Sequence, residues 1–209
     1  RMFGDVQRIP LVIRMLVGKG WGQGPQHSQS MHALFAHIPG LKVVAPSNPR
    51  DVKGLLISAI EDDDPVIFIE HRRLYNEEGD VPGGIYRIPL GEADVVCEGA
   101  DITIVATSHM VSEAKRARAI LEKSGVSVEI VDLRTLRPLD SKTIINSVKK
   151  TGRLVVVDGD WGPCGIASEV VCVAAEHCLN ELKSPPRRIT WPDMPAPTSV
   201  ALESEFYPK

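Results

Sequence analysis

No two of the four cysteines, Cys97, Cys164, Cys172 and Cys178, are spaced as CxxC. That excludes a zinc ribbon and a thioredoxin-type redox motif. No apolar run reaches the ~18 residues of a membrane-crossing helix, and no signal peptide is visible, so the chain is expected to be soluble and cytoplasmic with its thiols reduced. Aromatic residues make up only 5% of the 209, so Val, Ile, Leu and Ala have to fill the core. Positive charge is not in excess either. A net charge of −3 offers no strong attraction to nucleic acid. The basic pairs Arg72-Arg73, Lys149-Lys150 and Arg187-Arg188 read as solvated faces or helix ends. There is no repeat of solenoid length and no low-complexity tract.

What is present is a repeated alternation of short Val/Ile runs with helical patterns. Strands are predicted at 10–14, 41–46 and 65–70. Ser47-Asn48-Pro49-Arg50-Asp51 is a helix start: a polar cap, proline in the first turn, and an acid at the positive end of the dipole. Val52, Leu55, Leu56, Ala59 and Ile60 repeat at helical spacing and predict one buried face. Residues 75–91 are acidic and rich in turn formers, which suits a linker. Strands are predicted again at 101–107, 126–132, 153–158 and near 188–191. Between them lie helices over 110–121, after Asp140, and over about 165–182, with Gly125 and Gly152 as stops. Strands alternating with helices imply an α/β protein of two parallel-sheet, three-layer units with right-handed crossovers. The first unit is read as 1–75, the linker as 76–90, and the second unit as 91–209. Arg1-Met2-Phe3-Gly4 reads like the interior of a longer chain, and Leu202–Lys209 shows no closing helix.

The stretch Gly18–Gly40 invites three functional readings. A dinucleotide loop fails, because GxGxxG from Gly18 and Gly20 needs glycine where Gln23 stands. A Walker loop fails at Ile13 for the same kind of reason. A shared metal fails because His27, His32 and His37 step by five residues, which turns a helix by ~140° each time. His32 and His37 read as ordinary helix residues. His27 precedes Ser28, a possible helix cap, and so is placed in a strand-to-helix loop, where α/β proteins bind ligands. An imidazole there can exchange protons near neutral pH, or can simply face solvent. Glu61-Asp62-Asp63-Asp64 crowds negative charge at a helix end and calls for an offsetting cation or basic group, or is a solvated turn. Asp158-Gly159-Asp160-Trp161 follows a strand and reads equally as a ligand-facing loop or a plain turn. Cys164 has no base near it in sequence, and His109 lies at another strand end.

Gln26-His27-Ser28-Gln29-Ser30, the run Phe35–Pro46 and the run Ala59–Glu70 resemble the beta subunit of thiamine-diphosphate-dependent 2-oxo acid dehydrogenases. Pyruvate and branched-chain 2-oxo acid dehydrogenases are its best-known members. In the second unit, Val131–Asp140 and Lys150–Val157 are similar to the transketolase-type C-terminal domain. The resemblance covers nearly the whole chain. It implies a partial pyrimidine-binding domain followed by a transketolase C-terminal-like domain. It also implies a heterotetramer with an alpha subunit and a second beta subunit, and acyl transfer to a lipoyl acyltransferase; a eukaryotic member would lie in the mitochondrial matrix.

The resemblance makes His27 the active-site histidine. It assigns thiamine diphosphate and Mg²⁺ to a Gly-Asp-Gly…Asn motif of the alpha partner, which Asp158-Gly159-Asp160 does not reproduce. It maps a potassium site onto the main-chain carbonyls of Leu11, Ala59, Asp62 and Asp64. The glutamate that activates the aminopyrimidine is expected upstream, so the chain is expected to be inactive without that segment and the alpha partner. Two rival functions stay open: a split transketolase-like or acyloin-forming enzyme, and a non-catalytic assembly half.

Overall fold

The structure is a computed structural model that describes residues 6–18 and 22–207. Residues Arg1–Gly4 and Gly20, which entered the sequence reading, lie outside the described residues. The first sheet holds β1 (Val12–Val17), β2 (Lys42–Val44) and β3 (Val66–His71), with β3 parallel to both neighbours. Its fourth strand, β7 (Thr135–Arg137), comes from the second half of the chain and runs antiparallel to β2, giving the order β1-β3-β2-β7. Strand β3 is apolar on both faces, as a central parallel strand has to be. Ile67 and Ile69 point into one core, while Val66 and Phe68 point into another.

Helix α3 (Pro49–Ile60) covers the second of those faces. It starts where its sequence says it should: the Asn48 side chain accepts from the Asp51 amide at 2.9 Å. Its buried side is Asp51, Gly54, Leu55 and Ala59. The predicted stripe is therefore too wide, for Val52 and Ile60 are exposed. Gly54 explains the shift. A Cβ there would meet Ile88 and Tyr86 at under 3.0 Å, so the segment after β3 lies against this face of the helix. Lys53 Nζ donates to the Pro82 carbonyl at 2.7 Å, and Ser58 Oγ donates to that of Ile88 at the same distance.

The second sheet holds β4 (Asp94–Cys97), β5 (Ile102–Ala106), β6 (Val128–Asp132), β8 (Leu154–Trp161) and β9 (Arg187–Trp191), in the order β4-β6-β5-β8-β9. All pairs are parallel except the edge strand β4 on β6. Both antiparallel strands, β4 and β7, are short and were missed from sequence. Alternation along β5 and β6 sorts the side chains by face. Val105 and Val131 join the core under α5 (Ser141–Thr151) and α6 (Ile166–Cys178). Ile104, Ala106 and Ile130 join the core under α4 (His109–Leu121). The core under α5 and α6 continues into Val17, Val43, Ile67 and Ile69 of the first sheet, so the two units share it.

The C-terminal stretch corrects one expectation. Val200–Phe206 forms a helix, α7. Phe206 and Tyr207 close on Trp191 with ring centroids 6.0 and 5.4 Å away, and Trp161 meets Trp191 edge-on. Periodicity over seven residues is too weak to predict a helix whose stability comes from rings on β8 and β9.

Candidate active-site segment

Residues 22–38 form two short helices, not one. Gly22 and Gly24 take left-handed backbone angles, φ 66° and 62°. A Cβ on Gly24 would fall 2.4 Å from Thr198 Oγ1, so glycine lets the segment lie against the C-terminal part of the chain. The buried Glu203 of α7 accepts from the Gly22 amide at 3.2 Å. Helix α1 (Gly24–His27) follows, with Pro25 in its first turn. His27 is the exposed last residue of this single turn, and Ser28 caps its C-terminus instead of starting the next helix. Its main-chain carbonyl accepts from Arg72 Nη1 at 2.8 Å, and the same nitrogen donates to the Gln23 side chain. Arg72, read from sequence as part of a solvated basic pair, thus holds this turn.

Helix α2 (His32–Ala36) begins on a histidine that also departs from expectation. His32 is buried, with Nε2 2.9 Å from Asp158 Oδ1 and 3.5 Å from Asp160 Oδ2. Burial by itself would lower its pKa. The charge and hydrogen bond of Asp158, helped by Asp160, outweigh that and raise it. Asp160 is pushed up by burial and by the like charge of Asp158, against the pull of His32. The Asp158-Gly159-Asp160 run is therefore the buried end of β8, neither a ligand loop nor a turn, and its carboxylates face a histidine. A diphosphate with its magnesium does not fit there.

Two further histidines lie close by. His71 ends β3 and His109 begins α4, and their rings stack with centroids 4.7 Å apart. Ser30, His32, His71, Thr107, Ser108 and His109 line a cavity of 20 Å³ between the two units. That is about the space of one water. His37 stands apart, exposed at the end of α2. His71 was not singled out from sequence; its place at the carboxyl end of an apolar strand was the available signal.

The acidic run after α3 has its offsetting charge within the chain. Lys42 Nζ is 2.6 Å from Asp62 and 3.4 Å from Asp64. Among the described residues no group of three or more His, Cys, Asp or Glu side chains is placed to hold a metal. The Leu11 carbonyl accepts from the Val66 amide at 2.8 Å, and buried Ala59 lies in the last turn of α3.

Two family models match the chain: transketolase, pyrimidine binding domain, over residues 1–78, and transketolase, C-terminal domain, over residues 91–209. The chain belongs to the transketolase family. Within it, this member is similar to the beta subunit of acetoin:2,6-dichlorophenolindophenol oxidoreductase from Cupriavidus necator. The two are 50% identical over 99% of this chain and 61% of the relative. It is similar to the 2-oxoisovalerate dehydrogenase beta subunit of Bacillus subtilis, at 45% identity over 94% of this chain and 61% of that one. It is also similar to the pyruvate dehydrogenase E1 beta subunit of Acholeplasma laidlawii, at 44% over 95% and 61%. A solved split-gene transketolase, described as an inactive beta4 tetramer, shares the fold with a TM-score of 0.75. It is 25% identical and is matched over 89% of this chain and 59% of its own. The chain thus spans about three fifths of the length of these relatives. No helix among the described residues is long and apolar enough to cross a membrane.

Proposed function

We propose that this chain is the larger part of the beta subunit of a thiamine-diphosphate-dependent 2-oxo acid dehydrogenase, with His27 as its acid-base residue. The observation that carries the reading is an exposed imidazole on a one-turn helix beside the carboxyl end of β3. It stands within a Gln-His-Ser-Gln-Ser motif, in a chain similar over nearly its whole length to beta subunits. The working units are 1–75 and 91–209, joined by 76–90. The alpha subunit holds the cofactor and Mg²⁺, since the paired aspartates here are committed to His32. A second beta subunit and a lipoyl acyltransferase complete the assembly.

Thiamine diphosphate, when bound, supplies the electron sink that lets the bond beside the substrate carbonyl break. His27 serves the step after that. One of its ring nitrogens holds a proton and delivers it to the sulfur released as the lipoyl disulfide opens, which is work an imidazole can do near neutral pH. Main-chain carbonyls of Leu11, Ala59, Asp62 and Asp64 would hold a potassium ion bracing the end of α3; carbonyls at a helix C-terminus beside carboxylates suit a hard cation.

A His27→Ala change in the full-length, assembled enzyme tests the reading. Acylation of a lipoyl domain is expected to fall by about 100-fold or more, while oxidation by a soluble dye falls less. Unchanged lipoyl acylation would remove His27 from the mechanism. A second reading keeps the cofactor and changes the substrate to acetoin, favoured by the 50% identical relative. Comparing acetoin, pyruvate and a branched 2-oxo acid as substrates of the same enzyme separates the two.

A further inference from the structure

We infer that Arg72 is a positioning residue for His27, acting on its main chain. The inference rests on the reading of His27 as the acid-base group. His27 is exposed, and among the described residues no hydrogen bond reaches its imidazole. The direction of the ring is therefore inherited from the backbone of a single helical turn. One turn closes few internal hydrogen bonds and is not stable by itself. Something outside the turn has to hold it.

Arg72 is that external support. Its Nη1 donates to the His27 carbonyl at 2.8 Å and to the side chain of Gln23, the residue just before α1. One guanidinium group thus ties both ends of the turn. The carbonyl it binds belongs to the last residue of the helix, whose oxygen has no partner within the helix. A cation there also complements the helix dipole.

The mount behind Arg72 is rigid. Arg72 follows β3 directly; β3 is paired with β1 as far as His71 and with β2 over Val66–Phe68, and all but Glu70 of it is buried. The next turn is closed by the Tyr75 amide on the Arg72 carbonyl at 3.3 Å, and Tyr75 Oη donates to Glu70 at 2.9 Å. Glu70 is in turn bound by Arg14 of β1. At the other side of the segment, Glu203 holds the Gly22 amide. The active-site turn is suspended between the core of the first sheet and α7. A lysine at position 72 would keep the charge but on a flexible stem whose ammonium is not held in one plane, so it would restore only part of the hold.

The test uses the assembled full-length enzyme with its alpha subunit, a 2-oxo acid substrate and an isolated lipoyl domain. Arg72→Ala is expected to slow lipoyl acylation about ten- to a hundredfold, as small misplacements of a catalytic group do, with KM for the 2-oxo acid unchanged. Arg72→Lys recovers part of the rate. In a His27→Ala background the same Arg72→Ala change costs less than about twofold, because the two residues act as one unit. Amide hydrogen exchange at residues 24–29 rises in Arg72→Ala and less in Arg72→Lys. If Arg72→Ala fails to assemble, Arg72→Gln and Arg72→Lys carry the same comparison.

An unchanged rate in the Arg72 variants, or a full Arg72 effect persisting without His27, overturns the positioning role and leaves the His27 reading intact. A His27→Ala enzyme that acylates at the normal rate overturns the His27 reading first, and the positioning role with it.

Discussion

His32 carries a charge-dependent contact that can be read out by pH. Its ring is buried against Asp158 and Asp160, and their charges raise its pKa above the unfolded value despite the cost of burial. A group that binds its proton more tightly when folded contributes stability that is fully present below its unfolded pKa, about 6.5. That stability is lost as pH rises through the folded pKa. Burial pushes the buried Asp132 up to about 7, against hydrogen bonds from Ser47 Oγ and the Arg134 amide. Asp132 therefore acts in the same direction, weakening the fold as pH rises from about 4 through 7. His32→Gln keeps a hydrogen-bond donor and removes the titration. Its urea midpoint is expected to lie well below the parent's at pH 6 and to approach it at pH 9. A deficit of equal size at both values would show that His32 acts by shape alone.

At the scale of elements, the caps carry much of the local specification. Asp140 accepts from the Thr143 amide at 3.0 Å and from Thr143 Oγ1 at 2.6 Å, so it starts α5. It also accepts from the Ala93 amide at 3.0 Å, which fixes the approach to β4. Asp140→Ala is expected to cost about 1–2 kcal/mol, as the loss of a good N-cap does. Denaturant unfolding of the full chain measures it, and a loss below about 0.3 kcal/mol would show that water replaces the cap. Asn48, Asp140, Gly125 and Gly152 were all legible as helix signals, because capping is a contact between near neighbours in sequence. Strands β4 and β7 were not. Each is three or four residues long, and each exists only because another strand offers it an edge.

At the scale of the molecule, the two sheets share one core, and β7 from the second half completes the first sheet. The end of α3 is the place where an ion would couple to this whole. Lys42 already neutralises part of the Asp62 and Asp64 charge. A potassium ion on the main-chain carbonyls of Leu11, Ala59, Asp62 and Asp64 would join β1, α3 and the entry to β3. The full-length protein is expected to melt several degrees higher in potassium chloride than in tetramethylammonium chloride at equal ionic strength, since an ion bound only by the folded state stabilises it. Equal melting temperatures would exclude the site.

The α/β alternation, the cap residues, the apolar strands and the His27 motif are legible along the chain, because each is a property of residues close in sequence. What those residues meet depends on contacts between distant parts of the chain. His32 looked like one more helix residue until Asp158, 126 positions away, reached its ring. Arg72 looked like a solvated charge until folding brought it 2.8 Å from the carbonyl of His27. Glu203 lay in a stretch with no predicted structure, and it accepts from the Gly22 amide. Spacing reports which way a side chain points within its own element. Burial, charge pairing and the hydrogen bonds of the His27 turn depend on which elements pack together, and that is settled only when the chain has folded.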